Sequence, residues 1–239
     1  MTARERAIAA AMRNVWRQQG EALRDVTIAG TSFDWVRSEA EARRIVEMTR
    51  GDIGIEVAVN YDEAARALKV SLDPFVENIR GETFVENHVF QFARRVNETT
   101  HDEFQDALAR AVADGQSPDE FRREVREIFT GFEQAGRDEM IARTEIARAQ
   151  GGGTQLAWQD SEVVEAKIWD SANDACPFCL GMDGRVVDLT GNFFKGGETF
   201  TVKDDDGTEL SLTMNYGDIP YPPIHPFCRC AIRPKLFKA

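Results

Sequence analysis

The sequence predicts an α+β protein, with a helical N-terminal part followed by a small β-rich C-terminal domain that carries a cysteine/histidine cluster. Three observations predict it. Apolar residues recur every three or four positions through most of the first 150 residues, which is the helical period. After residue 162, short segments rich in β-branched residues alternate with Gly, Asp and Pro. All four cysteines fall in two tight groups near the C-terminus. Helices followed by strands is the α+β order. The expected division is residues 1–135 for the helical part and 136–239 for the C-terminal domain.

Residues 1–23 read as a helix, with Ile8, Ala11, Met12, Val15 and Trp16 near one face. Residues 24–33 read as a loop with a β-like piece, Val26-Thr27-Ile28. A second helix is expected from Ser32 or Asp34 to Arg50, with Gly51 ending it. Ile53 to Asn60 alternates weakly and reads as a strand or as the start of another helix. Leu72, Phe75, Val76 and Ile79 begin a stripe that Phe84, Val85, Val89, Phe92 and Val96 continue past Gly81 to Val112, as one long helix or two. Ser117-Pro118-Asp119-Glu120 is a helix start, with a capping serine, a proline in the first turn and a glutamate able to reach back.

Gly131 to Gly136 reads as a linker before a helix that carries Met140 to Gln150. Gly151-Gly152-Gly153 then either ends that helix or marks a close approach that only small residues allow. Beyond it, Val163 to Trp169 and Arg185 to Leu189 read as strands. Thr199 to Lys203 and Thr208 to Thr213 flank Asp204-Asp205-Asp206-Gly207, the turn of a hairpin. The basic residues Arg229, Arg233, Lys235 and Lys238 read as a solvated tail.

With 42% hydrophobic and 29% charged residues over 239 positions, the composition is that of a globular protein able to bury a core. No apolar run is long enough to span a membrane, and the N-terminus lacks the apolar stretch of a secretory signal. Synthesis in the cytoplasm is therefore expected. The net charge is −12, and both halves are acidic. Such a chain gains little from phosphate neutralisation, so any DNA contact is expected to be local.

Chemistry is concentrated in Cys176, Cys179, His225, Cys228 and Cys230, five soft donors in two clusters. Cys-x-x-Cys is a usual zinc half-site and equally the core of a thioredoxin-type redox motif. The redox form needs a long helix starting at the motif to lower the thiol pKa, but Gly181, Asp183 and Gly184 follow at once. Zinc takes four ligands. The preferred set is Cys176, Cys179, His225 and one of Cys228 and Cys230, with the all-cysteine set next. Disulfides, and four reduced cysteines without metal, remain alternatives. No metalloprotease, deaminase or phosphate-loop motif occurs, so catalysis is not expected. His88 and His101 lie within helices and read as ordinary hydrogen-bonded residues.

Four stretches occur together in a familiar order. They are Met140-Ile-Ala-Arg-Thr-Glu-Ile-Ala-Arg-Ala-Gln150, the strand ending Trp169-Asp170, the turn Cys176-Pro-Phe-Cys-Leu-Gly-Met-Asp-Gly184, and Pro222-Pro-Ile-His-Pro-Phe-Cys-Arg-Cys230. Over roughly residues 70–235 the chain resembles the head morphogenesis (minor head protein) family of tailed bacteriophages, the phage Mu protein F-like group. The resemblance implies a non-enzymatic minor capsid protein, made in the host cytoplasm and carried into the virion head, in several copies. It implies association with the portal protein, contact with a scaffold or major capsid protein, and a part in head assembly or in DNA packaging or ejection. Readings outside that family are a zinc-stapled interaction module or a Cys/His-dependent enzyme.

Overall fold

The computed structural model describes residues 1–23, 32–75, 79–215 and 217–237. The described elements are α1 (Ala3–Ala22), a 3-10 turn (Asp34–Arg37), α2 (Glu39–Leu68), α3 (Ile79–Asp114), α4 (Pro118–Gln134) and α5 (Arg137–Ser161), then β1 (Val164–Asp170), the one-turn α6 (Pro177–Leu180), β2 (Val186–Asp188), β3 (Thr199–Lys203), β4 (Glu209–Thr213) and β5 (Ala231–Leu236). The predicted α+β class is the one observed. The chain divides into two compact units, Met1–Ile53 with Thr83–Ala142, and Gly54–Glu82 with Arg143–Ala239. The expected β piece at Val26-Thr27-Ile28, Val76, the side chain of Ile79, and Lys238 lie outside the described residues.

The first unit is helical. Thr2 opens α1 with a reciprocal capping box: its hydroxyl accepts from the Glu5 N–H, and the Glu5 carboxylate accepts from the Thr2 N–H. The predicted face of α1 is buried, including Ile8, Met12, Val15 and Trp16. Ser117 and Glu120 cap α4 in the same reciprocal way. Phe33, Phe104, Phe121 and Val125 form one buried cluster, in which the Phe33 and Phe104 ring centroids are 5.1 Å apart.

The second unit carries both sheets. β1 is the central strand of an antiparallel sheet of order β2-β1-β5, with Ala166 opposite Asp188 on one side and Lys167 opposite Pro234 on the other. β3 and β4 form a separate hairpin. Its turn is held by the Asp204 carboxylate, which accepts from the N–H groups of Asp206 and Thr208, and Gly207 supplies a positive φ. Beneath the strands lies a buried cluster of Trp169, Met182, Phe193, Phe194, Met214, Ile219 and Ile224, together with Cys179 and Cys228.

Several local expectations are corrected. Gly51 does not end a helix, because α2 runs through it to Leu68 and takes in Ile53 to Asn60. Ile45, Thr49, Ile53, Val57 and Tyr61 recur every four residues and are all buried, which outweighs about 1 kcal/mol for a glycine in a helix. The weak alternation came from Ile55, which is exposed. The stripe expected from Leu72 is not helical at residues 71–74, and the next helix begins at Ile79. Gly81 lies in its first turn, where the Phe75 ring occupies the space of a β-carbon. The linker expected at Gly131 to Gly136 shrinks to a break at Ala135-Gly136, where Gly136 has φ +65°. Residues 231–236 are a strand rather than a solvated tail, and there Lys235 pairs with Glu165 at 3.0 Å and Arg233 lies 3.7 Å from Asp170.

Candidate metal centre

Local geometry delivers each donor. Cys176 is the N-cap of α6, and Pro177 follows in the first helical turn, where its missing N–H costs nothing. One helical turn separates Cys176 from Cys179 and places both sulfurs on one side. The motif is tied to β1 on its far side. The Ser171 N–H and hydroxyl both donate to the Asp183 carboxylate, and the Gly184 N–H donates to the Trp169 carbonyl. The second cluster begins with a tight turn, His225-Pro226-Phe227-Cys228, in which the Cys228 N–H donates to the His225 carbonyl at 3.3 Å. Phe227 occupies the left-handed region with φ +59°, a position that glycine usually fills in a turn of this kind.

The two clusters meet. His225 Nε2 lies 3.1 Å from Cys176 Sγ and 3.3 Å from Cys179 Sγ, and Cys179 Sγ lies 3.5 Å from Cys228 Sγ. All five predicted donors fall into two compact triads, Cys176–Cys179–His225 and Cys179–Cys228–Cys230, with Cys179 in both. Tetrahedral zinc with ordinary bond lengths sets its donors roughly 3.6–3.8 Å apart, so the three contacts are within about half an ångström of that spacing. All four cysteines are free thiols, and 3.5 Å between sulfurs is far from a disulfide. The helix at Cys176 has four residues, too short for the redox motif.

The outer hydrogen bonds suit a metal as well. His225 Nδ1 lies 2.7 Å from the Pro226 carbonyl, which only an N–H can satisfy, so Nε2 presents its lone pair to the sulfurs. The indole N–H of Trp169 is buried without a hydrogen bond. Hydrogen bonds from the neighbouring Cys179 and Cys228 thiols hold the Cys230 pKa below the ordinary thiol value. Cys179 is pushed up in turn, first by its contact with Cys228. The donor set and its surroundings therefore fit a soft divalent metal. Sequence reasoning found the five donors but missed the Pro226 carbonyl, because an outer hydrogen bond to main chain leaves no spacing pattern.

The helix α5 stretch singled out by sequence lies against this region. Gly151 and Gly153 are helical, and both are close approaches: Gly151 to the Tyr221 ring, and Gly153 to the backbone of Val57. The Arg143 guanidinium sits 5.8 Å from the centroid of the Phe227 ring. Glu145 and Arg148 form an ion pair one turn apart, and both side chains are largely buried.

His88 stacks on Phe84 with centroids 5.7 Å apart, and His101 Nδ1 lies 3.1 Å from the Asp102 carboxylate, so neither histidine joins the cluster. Among the described residues, no helix is long and apolar enough to cross a membrane. No curated protein and no solved structure matches the chain. The family model described as phage Mu protein F like protein matches residues 102–233, which include α4, α5, β1 and both halves of the cysteine/histidine cluster. The chain belongs to the phage Mu protein F-like family, a family of phage head-related proteins.

Proposed function

We propose that this chain is a minor capsid protein of a tailed bacteriophage that associates with the portal protein and acts in head assembly and in the packaging or ejection of DNA. It touches scaffold or major capsid protein as the head forms, is present in several copies, and ends in the virion head. Its part is structural rather than enzymatic. The observation that carries this reading is the family match across residues 102–233. The buried placement of Cys179 and Cys228 supports a holding role for the cluster, because both sulfurs lie in the apolar core of the second unit. The net charge of −12 supports protein partners over broad DNA contact.

Within this reading the cysteine/histidine centre holds one structural zinc ion. When bound, the metal joins residues 176–179 to residues 225–230 across about fifty positions, closing a small unit whose own strands are short. Two experiments test the proposal. The protein expressed with its portal should copurify as a ring-bound complex, and heads assembled without it should be defective; heads that form and package normally would sink the capsid role. Metal analysis of protein purified without chelator should give close to one zinc per chain, and well under half an equivalent would remove the zinc.

A further inference from the structure

The cluster has five donors for an ion that takes four. They are not five equivalent groups around one point, because they form two triads that share a single sulfur, that of Cys179. A surplus donor would ordinarily be recognisable by poor support. Here the two donors at the opposite ends of the cluster are both built as ligands. His225 has its lone pair aimed at two sulfurs by the bond from its Nδ1–H to the Pro226 carbonyl. The Cys230 sulfur closes the opposite triad, within 4.8 Å of the sulfurs of Cys179 and Cys228. An outer hydrogen bond that orients an imidazole, and a sulfur grouped closely with two others, each mark a residue placed to ligate.

We propose that Cys179 is the fixed ligand of a single ion and that His225 and Cys230 are alternative ligands, either of which completes the coordination with Cys176, Cys179 and Cys228. The ion then stays held when one of the two end ligands is lost. A staple with this redundancy tolerates more environments than four fixed donors would. The inference rests on the zinc reading above and deepens it.

The test compares His225→Ala, Cys230→Ala and the double variant in the full chain, using zinc content and competition with a chromogenic chelator. Each single variant should keep about one zinc, with affinity reduced by roughly 10- to 100-fold at most, the range of a lost supporting interaction. The double variant should bind far more weakly than either. Should one single variant lose zinc as completely as the double, that residue is an obligatory ligand and the alternation is overturned. Should the double variant bind as the wild type does, neither residue is a ligand and the inference fails equally.

Cobalt(II) substitution of the soluble single variants gives a second readout that does not depend on the double variant folding. His225→Ala should show an all-thiolate spectrum and Cys230→Ala a mixed thiolate–imidazole one. The same ligand set in both would overturn the inference. Wild-type protein without zinc would instead remove the metal reading beneath it, so the two failures are distinguishable.

Discussion

Gly153 faces the backbone of Val57 so closely that a β-carbon at this position would run into the Val57 carbonyl. Helix α5 therefore meets helix α2 main chain to main chain within the second unit. A carbonyl cannot rotate aside as a flexible side chain can, so relief requires the helices to separate.

Gly153→Ala should consequently destabilise the protein by about 2 kcal/mol or more, within the range seen for overpacking. Gly151→Ala should cost less, because its nearest neighbour is the Tyr221 ring, with Cδ2 at 2.6 Å, which can tilt. Gly51→Ala is the control. It lies within α2 with nothing nearby for an added β-carbon to meet, and it should stabilise by about 0.5–1 kcal/mol through helix propensity. Thermal or denaturant unfolding of the three variants checks the order, and equal effects at Gly51 and Gly153 would refute the close-approach explanation.

These glycines also mark where sequence was readable and where it was not. Residue type told that Gly151 to Gly153 were unusual in a helical stretch, but not whether the helix ended, because the neighbour that requires a small residue is Val57, far away in the chain. Capping at Ser117 was legible since all its parts lie within four residues. β5 was not, because charges at Arg233 and Lys235 and a proline at 234 imitate a tail. Its acidic partners, Glu165 and Asp170, sit on another strand. The five donors were legible as a set because soft ligands are rare. Their division into two triads was not, since it depends on where the turn at Phe227 points the chain.

Phe227 pays a conformational cost for that turn. A bulky side chain at φ +59° is held in a region that costs a non-glycine residue roughly 1–2 kcal/mol. The Arg143 guanidinium near the Phe227 ring returns part of this, as cation–π contacts at exposed positions contribute about 0.5–1 kcal/mol. Phe227→Gly should thus stay within about 1 kcal/mol of wild type and retain zinc. Phe227→Val, β-branched and without the ring, should be less stable than Phe227→Gly by at least about 1 kcal/mol. A valine variant as stable as the glycine variant would show that the turn is not left-handed.

Ser117 and Glu120 give a prediction with a pH dependence. The Glu120 carboxylate accepts from the Ser117 N–H and from its hydroxyl, each at 2.7 Å, and these bonds hold its pKa below the ordinary value. A depressed carboxylate pKa contributes stability that is present above the unfolded-state pKa and is lost as pH falls through the folded value. Ser117→Ala should cost about 1 kcal/mol at neutral pH. The difference from wild type should shrink in acid, once Glu120 is protonated. A difference that does not change between pH 7 and the acid limb would mean that the carboxylate takes no part in the cap.

Lys167 carries the opposite dependence. Its side chain is fully buried on β1, its amine donates to the Gln155 Oε1 at 2.5 Å, and desolvation lowers its pKa to about 8. The unfolded chain holds that proton up to about pH 10.4. Between the two values the unfolded state binds more protons than the folded one, so stability rises with pH across that window. Below about pH 8 the folded state carries a buried ammonium and the penalty is complete. Lys167→Met removes the titration but leaves Gln155 without its donor, so its net effect at pH 7 combines a gain and a loss. The clean measurement is the difference between wild type and Lys167→Met as a function of pH, because other titrating groups cancel. Wild type should gain on the variant by about 2–3 kcal/mol from pH 8 to pH 10.5, since each pH step of one between the folded and unfolded pKa values contributes about 1.36 kcal/mol. A flat difference would show that the amine keeps its proton in the fold, with Gln155 and the nearby Phe193 ring, whose centroid is 6.0 Å away, solvating it as well as water does.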